Sequence, residues 1–94
     1  MARAVWNGVV LADSDTFEQV EGNVYFPLES INCKYFKPCS KSSVCSWKGT
    51  AAYFDLAVGD NLNPAAAWYY ANPKPAAGKI KNHVAFWKGV KVAS

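Results

Sequence analysis

The ten residues Val44-Cys45-Ser46-Trp47-Lys48-Gly49-Thr50-Ala51-Ala52-Tyr53 place a thiol, an indole, an ammonium and a phenol in one short run. Lys48 offers a point charge for a phosphate or carboxylate, and Trp47 beside it offers a flat surface for a ring. Gly49 lets a ligand come close to the backbone. Cys45 lies two residues before Trp47, so in an extended segment both side chains share a side. A lysine three positions from that thiol favours the thiolate, which makes Cys45 and Lys48 the candidate catalytic residues. The plainer reading is a buried tryptophan, a snorkelling lysine and an inert cysteine. His83, the single histidine, would give Cys45 a base. Nothing in the sequence brings the two together, and a structural histidine is the commoner case.

Two further sets carry polar and aromatic groups. Glu21, Asn23 and Tyr25 are spaced by two and would line one side of an extended segment as a polar rim. A turn in which Glu21 and Asn23 bond local backbone is the alternative. Trp68, Tyr69 and Tyr70 are contiguous, so in a strand Trp68 and Tyr70 face together and Tyr69 opposes them. With Trp47, Lys48 and Tyr53 they would wall an apolar pocket holding a few polar groups; otherwise they are core. The chain has no phosphate-binding glycine loop, metal-spaced histidines or paired catalytic carboxylates. No metal and no cofactor is expected from these residues.

Composition narrows the classes. Net charge is +3, and no acid follows Asp60 although five lysines do. Such a lysine spread fits solvated strand edges better than nucleic-acid binding, which needs a denser patch or a motif. Cys33, Cys39 and Cys45 form no C-x-x-C pair, so the zinc signature is missing and reduced thiols are expected. No apolar stretch reaches the roughly 18–20 residues of a membrane span, and the first residues lack a signal-like apolar region. The expectation is a soluble cytoplasmic protein that does not enter membranes.

Short β-forming segments recur with turn residues between them. Asn7-Gly8 between Arg3–Trp6 and Val9–Ala12 predicts a hairpin with a type I′ turn. Strands are expected at Thr16–Val20, Val24–Phe26, Ile31–Phe36, Val44–Trp47, Thr50–Val58, Trp68–Tyr70, His83–Trp87 and Val90–Val92. Lys37–Ser43 reads as a loop and Asn63–Ala67 as a turn. Pro27–Ser30 and Ala76–Ile80 each have room for one helical turn. Residues 1–94 therefore predict a single all-β domain of short antiparallel strands, with at most one-turn helices.

The chain resembles the family called domain of unknown function 427, sometimes labelled nucleotidyltransferase-like. The matching residues are Ala4–Gly8, Glu21–Pro27, Cys45–Ala51, Ala67–Tyr70 and His83–Trp87, with Cys-x-Trp-Lys-Gly the most specific element. Ser46 departs from a pattern that often has proline there. The resemblance implies a β-tent-like architecture of two sheets meeting at an angle. Relatives of that architecture often bind zinc through paired C-x-x-C motifs, which this chain lacks, and some enclose small ligands in aromatic cages. The label implies nucleotidyl transfer, but clustered Mg²⁺-binding carboxylates are missing. The leading expectation is a module binding an unidentified small molecule. Its walls would be Trp47, Trp68 and Tyr70, its anchors Lys48 and Glu21, and Cys45 would lie at its base. The alternatives are an enzyme, thiol-based or nucleotidyl-transferring, and a protein-interaction or homodimerising module.

Overall fold

Asn7 and Gly8 both take positive φ, 52° and 79°, so the chain reverses in two residues. β1 (Ala2–Trp6) thereby pairs antiparallel with β2 (Val9–Ser14). Glu21 and Gly22 repeat the device at 54° and 79°, joining β3 (Glu18–Val20) to β4 (Asn23–Pro27). The computed structural model describes residues 1–94. It continues with β5 (Phe36–Cys45), β6 (Gly49–Val58), β7 (Asn61–Tyr69), β8 (His83–Phe86) and β9 (Lys91–Ala93). Lys88 and Gly89, again both at positive φ, carry the chain from β8 to β9 and so from one sheet to the other.

The strands make two antiparallel sheets, one of three strands in the order β2-β1-β9 and one of six in the order β3-β4-β8-β7-β6-β5. Period-two alternation gives the larger sheet two apolar faces. One carries Phe26, Leu56, Ala67, Val84 and Phe86, which pack against Ala2, Ala4, Leu11 and Ala12 of the small sheet. The other carries Tyr25, Ala51, Tyr70 and Ala85, with Trp68 and Tyr53 packed beside them. Ala77 and Ile80 cover part of that second face. They come from Pro75–Ile80, two short 3₁₀ turns merged across a kink at Ala77. A single 3₁₀ turn forms at Leu28–Ser30, where Ser30 Oγ donates to the Pro27 carbonyl at 2.6 Å.

Four segments depart from the expected elements. Ile31–Phe36 is a lone bridge from Ile31 to Ala12 followed by a 3₁₀ turn at Cys33–Tyr35, because Tyr35 N bonds back to the Asn32 carbonyl. Lys37–Ser43 belongs to strand β5. That strand is a sheet edge, where an unpaired flank tolerates proline and exposed lysines. Its register slips between Cys39 and Ser42. Val44 and Cys45 end β5, and Ser46, Trp47 and Lys48 form a turn rather than strand. Finally, β7 already begins at Asn61 and runs through Pro64, with its register against β6 broken between Phe54 and Leu56.

That break is a bulge held under strain. Ala65 has φ of 53°, a conformation unfavourable for a residue with a Cβ. The Asp55 carboxylate accepts from Ala65 N at 2.7 Å, and Trp87 Nε1 donates to the Ala65 carbonyl at 2.6 Å. Replacing Asp55→Ala should remove a charge-assisted bond from a strained site. Stability measured by urea unfolding is expected to fall by about 1.5–3 kcal/mol; an unchanged midpoint would show that the bulge holds without it.

Candidate functional site

Lys48 is 7% exposed, the one charged residue in the buried set. A buried ammonium must be compensated, and three elements supply the compensation. The β3–β4 turn brings Glu21, whose Oε1 accepts a short hydrogen bond from Lys48 Nζ. The Trp47 ring lies 5.7 Å from the ammonium and the Tyr70 ring 5.6 Å, both within cation–π range. Trp47 Nε1 also donates to Glu21 Oε2 at 3.3 Å. The turn itself is tied to the segment after β7, since Lys74 N donates to the Lys48 carbonyl at 2.8 Å and Lys74 Nζ to the Ser46 carbonyl at 2.7 Å.

Gly49 makes this docking fit. Its φ is 115°, and a Cβ there would meet the Asn72 carbonyl oxygen at 3.4 Å and Pro73 Cα at 3.6 Å. The close approach expected of a ligand at Gly49 is thus made by the chain's own residues 72–74.

On the second face of the large sheet, register aligns Cys39, Tyr53, Trp68 and Ala85 across β5, β6, β7 and β8. Beside this row lies a cavity of about 180 Å³ lined by Lys48, Tyr53, Trp68, Tyr70 and Trp87. Trp68 Nε1 donates to the hydroxyl of the fully buried Tyr25 at 3.2 Å. Trp87 stands edge-on to Trp68, with ring centres 5.9 Å apart. Tyr53 is fixed by a 2.9 Å bond between its hydroxyl and Ser43 Oγ. The Tyr70 hydroxyl makes no hydrogen bond within the chain, although Tyr70 is only 4% exposed. Tyr69 points to the opposite face, stacked on Phe54 at 4.9 Å.

Among the residues marked in the sequence, Lys48, Tyr53, Trp68 and Tyr70 line one cavity. Tyr25, Glu21 and Trp47 do not line it; Tyr25 is bonded to Trp68, and Glu21 to Lys48 and Trp47. The expected side shared by Glu21, Asn23 and Tyr25 does not form, because Glu21 belongs to a turn with φ of 54°. Asn23 opens β4, and its side chain makes no hydrogen bond. Cys45 and Trp47 do not share a strand side either, since Trp47 lies in the turn. Cys45 is half-buried and does not line the cavity. Its suggested base is elsewhere: β8 and β5 are three strand spacings apart in the sheet, roughly 14 Å. His83 Nδ1 is engaged with the Lys81 carbonyl at 2.8 Å. No three His, Cys, Asp or Glu side chains converge as a metal site would require.

Trp87 is the wall residue that sequence reasoning passed over. The strand His83–Trp87 did put Trp87 on the side of Ala85, but only the fold shows which neighbours that side meets. The Ala65 bulge then anchors the indole.

Fold and site together define an all-β domain with an aromatic cavity beside a buried lysine–glutamate pair. The chain belongs to the family described as Domain of unknown function (DUF427), whose profile matches residues 1–94. The nucleotidyltransferase-like label is part of that family's name and assigns no reaction. Comparison with curated proteins returns no match. No helix is long and apolar enough to cross a membrane.

The pairing shifts both partners. Hydrogen bonds from Lys48 and Trp47 hold the Glu21 carboxyl below the ordinary range. Burial pulls Lys48 down, but the Glu21 bond and the phenols of Tyr25 and Tyr70 outweigh it, so its pKa is raised. Burial also raises the Tyr70 phenol, with Lys48 countering in part. Between its folded value and the unfolded value of about 4.3, Glu21 binds fewer protons in the native state. Its contribution is therefore complete above that unfolded value and is lost as pH falls through the folded one. Lys48 contributes fully below about 10.4 and loses its contribution as pH rises through its higher folded value. Thermal melts from pH 2 to 6 should show a shallower acid limb for Glu21→Gln than for the wild type; parallel curves would contradict the linkage. Gly49→Ala should cost about 1–3 kcal/mol through backbone strain at its φ of 115°, read by chemical denaturation.

Proposed function

We propose that this domain binds a small molecule in the cavity formed by Lys48, Tyr53, Trp68, Tyr70 and Trp87. The supporting observation is the state of the polar groups around it. The Trp68 and Trp87 indole N–H groups are already spent on the Tyr25 hydroxyl and the Ala65 carbonyl. The tryptophans therefore present ring surface alone, while the Tyr70 hydroxyl is left without a protein partner. Largely apolar walls with a few converging polar groups are the usual make-up of a ligand pocket. At about 180 Å³, the space is of the order that admits a benzene-sized ring, for which about 150 Å³ suffices.

Binding of benzamide, a neutral ring, tests the reading. In ¹H–¹⁵N spectra the indole signals of Trp68 and Trp87 should shift saturably, while that of Trp6, in the other sheet, should stay still. Tyr53→Ala removes one wall and should weaken binding about tenfold, the loss of a ring contact worth roughly 1–1.5 kcal/mol. Unmoved Trp68 and Trp87 signals at millimolar benzamide would sink the assignment.

A further inference from the structure

Resting on that binding reading, we propose that the cavity selects a small aromatic or heteroaromatic acid, whose carboxylate is taken by Lys48 Nζ and the Tyr70 hydroxyl together. Lys48 is the one charged residue in the lining. An ammonium has three donors and no acceptor, and the sole acceptor the chain gives Lys48 Nζ is Glu21 Oε1. Donors remain beyond that bond, next to the Tyr70 ring.

Tyr70 supplies the second donor. It is 4% exposed, lines the cavity, and its hydroxyl has no partner in the chain. The hydroxyl is not sealed from solvent, since Asp13 Oδ1 is the sole buried side-chain polar atom without a partner, so an acceptor entering the cavity can take the hydroxyl's donor in place of water. Two donors from residues lining one ring-sized space suit the two oxygens of a carboxylate.

The same features reject cations. Aromatic boxes commonly hold ammonium ligands, but here the lining already includes the protein's own ammonium, 5.6 Å from the Tyr70 ring. A second cation would meet like charge at short range. Glu21 tempers the preference. Its carboxylate neutralises Lys48 from outside the cavity, so the ligand shares the ammonium with an internal competitor. Glu21 is half exposed on a two-residue turn, which lets it yield without disturbing the sheets.

Three matched probes, benzoate, benzamide and benzylammonium, decide the matter, with affinities fitted to the Trp68 and Trp87 indole shifts. Wild-type protein should bind benzoate at least about tenfold more tightly than benzamide, as expected for hydrogen bonds to a charged acceptor, and benzylammonium more weakly than either. Added salt should weaken benzoate and leave benzamide unchanged. Tyr70→Phe should lower benzoate affinity about fivefold with little effect on benzamide, and Lys48→Met should bring the two affinities together. Glu21→Gln should tighten benzoate alone. If Lys48→Met does not fold, the wild-type ranking and Tyr70→Phe still decide. Benzamide binding as tightly as benzoate would overturn the acid proposal while leaving the binding reading intact. Preference for benzylammonium would do the same. Silence from all three probes would remove both.

Discussion

An ammonium withdrawn from water needs a fixed environment, and Lys48 organises its surroundings to that end. Its head is met by a carboxylate from one turn and ring faces from Trp47 and Tyr70. These groups lie far apart in sequence, so satisfying one cation joins the β3–β4 turn, the β5–β6 turn and the end of β7. Lys74 adds a fourth connection by bonding to two carbonyls of the β5–β6 turn. Leaving such a charge half-compensated is costly. That cost makes the 46–48 turn a well-defined cavity edge.

The six-stranded sheet explains why a cavity exists beside that turn. One of its faces is closed by the three-stranded sheet, in a continuous cluster that includes Leu11, Phe26 and Leu56. The other face has only Ala77 and Ile80 from outside the sheet to cover it. Large rings fill part of the remainder, and the cavity lies among Trp68, Tyr53 and Trp87, with the two indoles packed edge-on. Strain is used at the rim. The left-handed Ala65 lies at the break in the β6–β7 register, and its carbonyl anchors Trp87. A regular β7 would lack that anchor.

Much of this was readable residue by residue. The Asn7-Gly8 hairpin, β6 with its two faces, the opposition of Tyr69 to Trp68 and Tyr70, and the short helical turns after Pro27 and before Lys81 all follow from local rules. Each depends only on φ preferences or on period-two alternation, which neighbouring residues determine. The misread segments share a different cause. β5 looks like a loop because Pro38, Ser40, Lys41, Ser42 and Ser43 are poor strand formers, yet an edge strand asks little of its outer flank. Pro64 hides the start of β7 because a bulge accommodates it.

At the site the division is similar. The chain by itself determined the all-β class, the family, and the importance of Cys-x-Trp-Lys-Gly, since these reside in composition and short motifs. It also determined that Trp68 and Tyr70 share a side. Only tertiary structure decided that Glu21 meets Lys48 across 27 positions, that Trp87 rather than Trp47 walls the cavity, and that Cys45 and His83 stay apart. The reason is physical. Strand order and register bring distant residues together, and no local preference encodes which strand becomes whose neighbour.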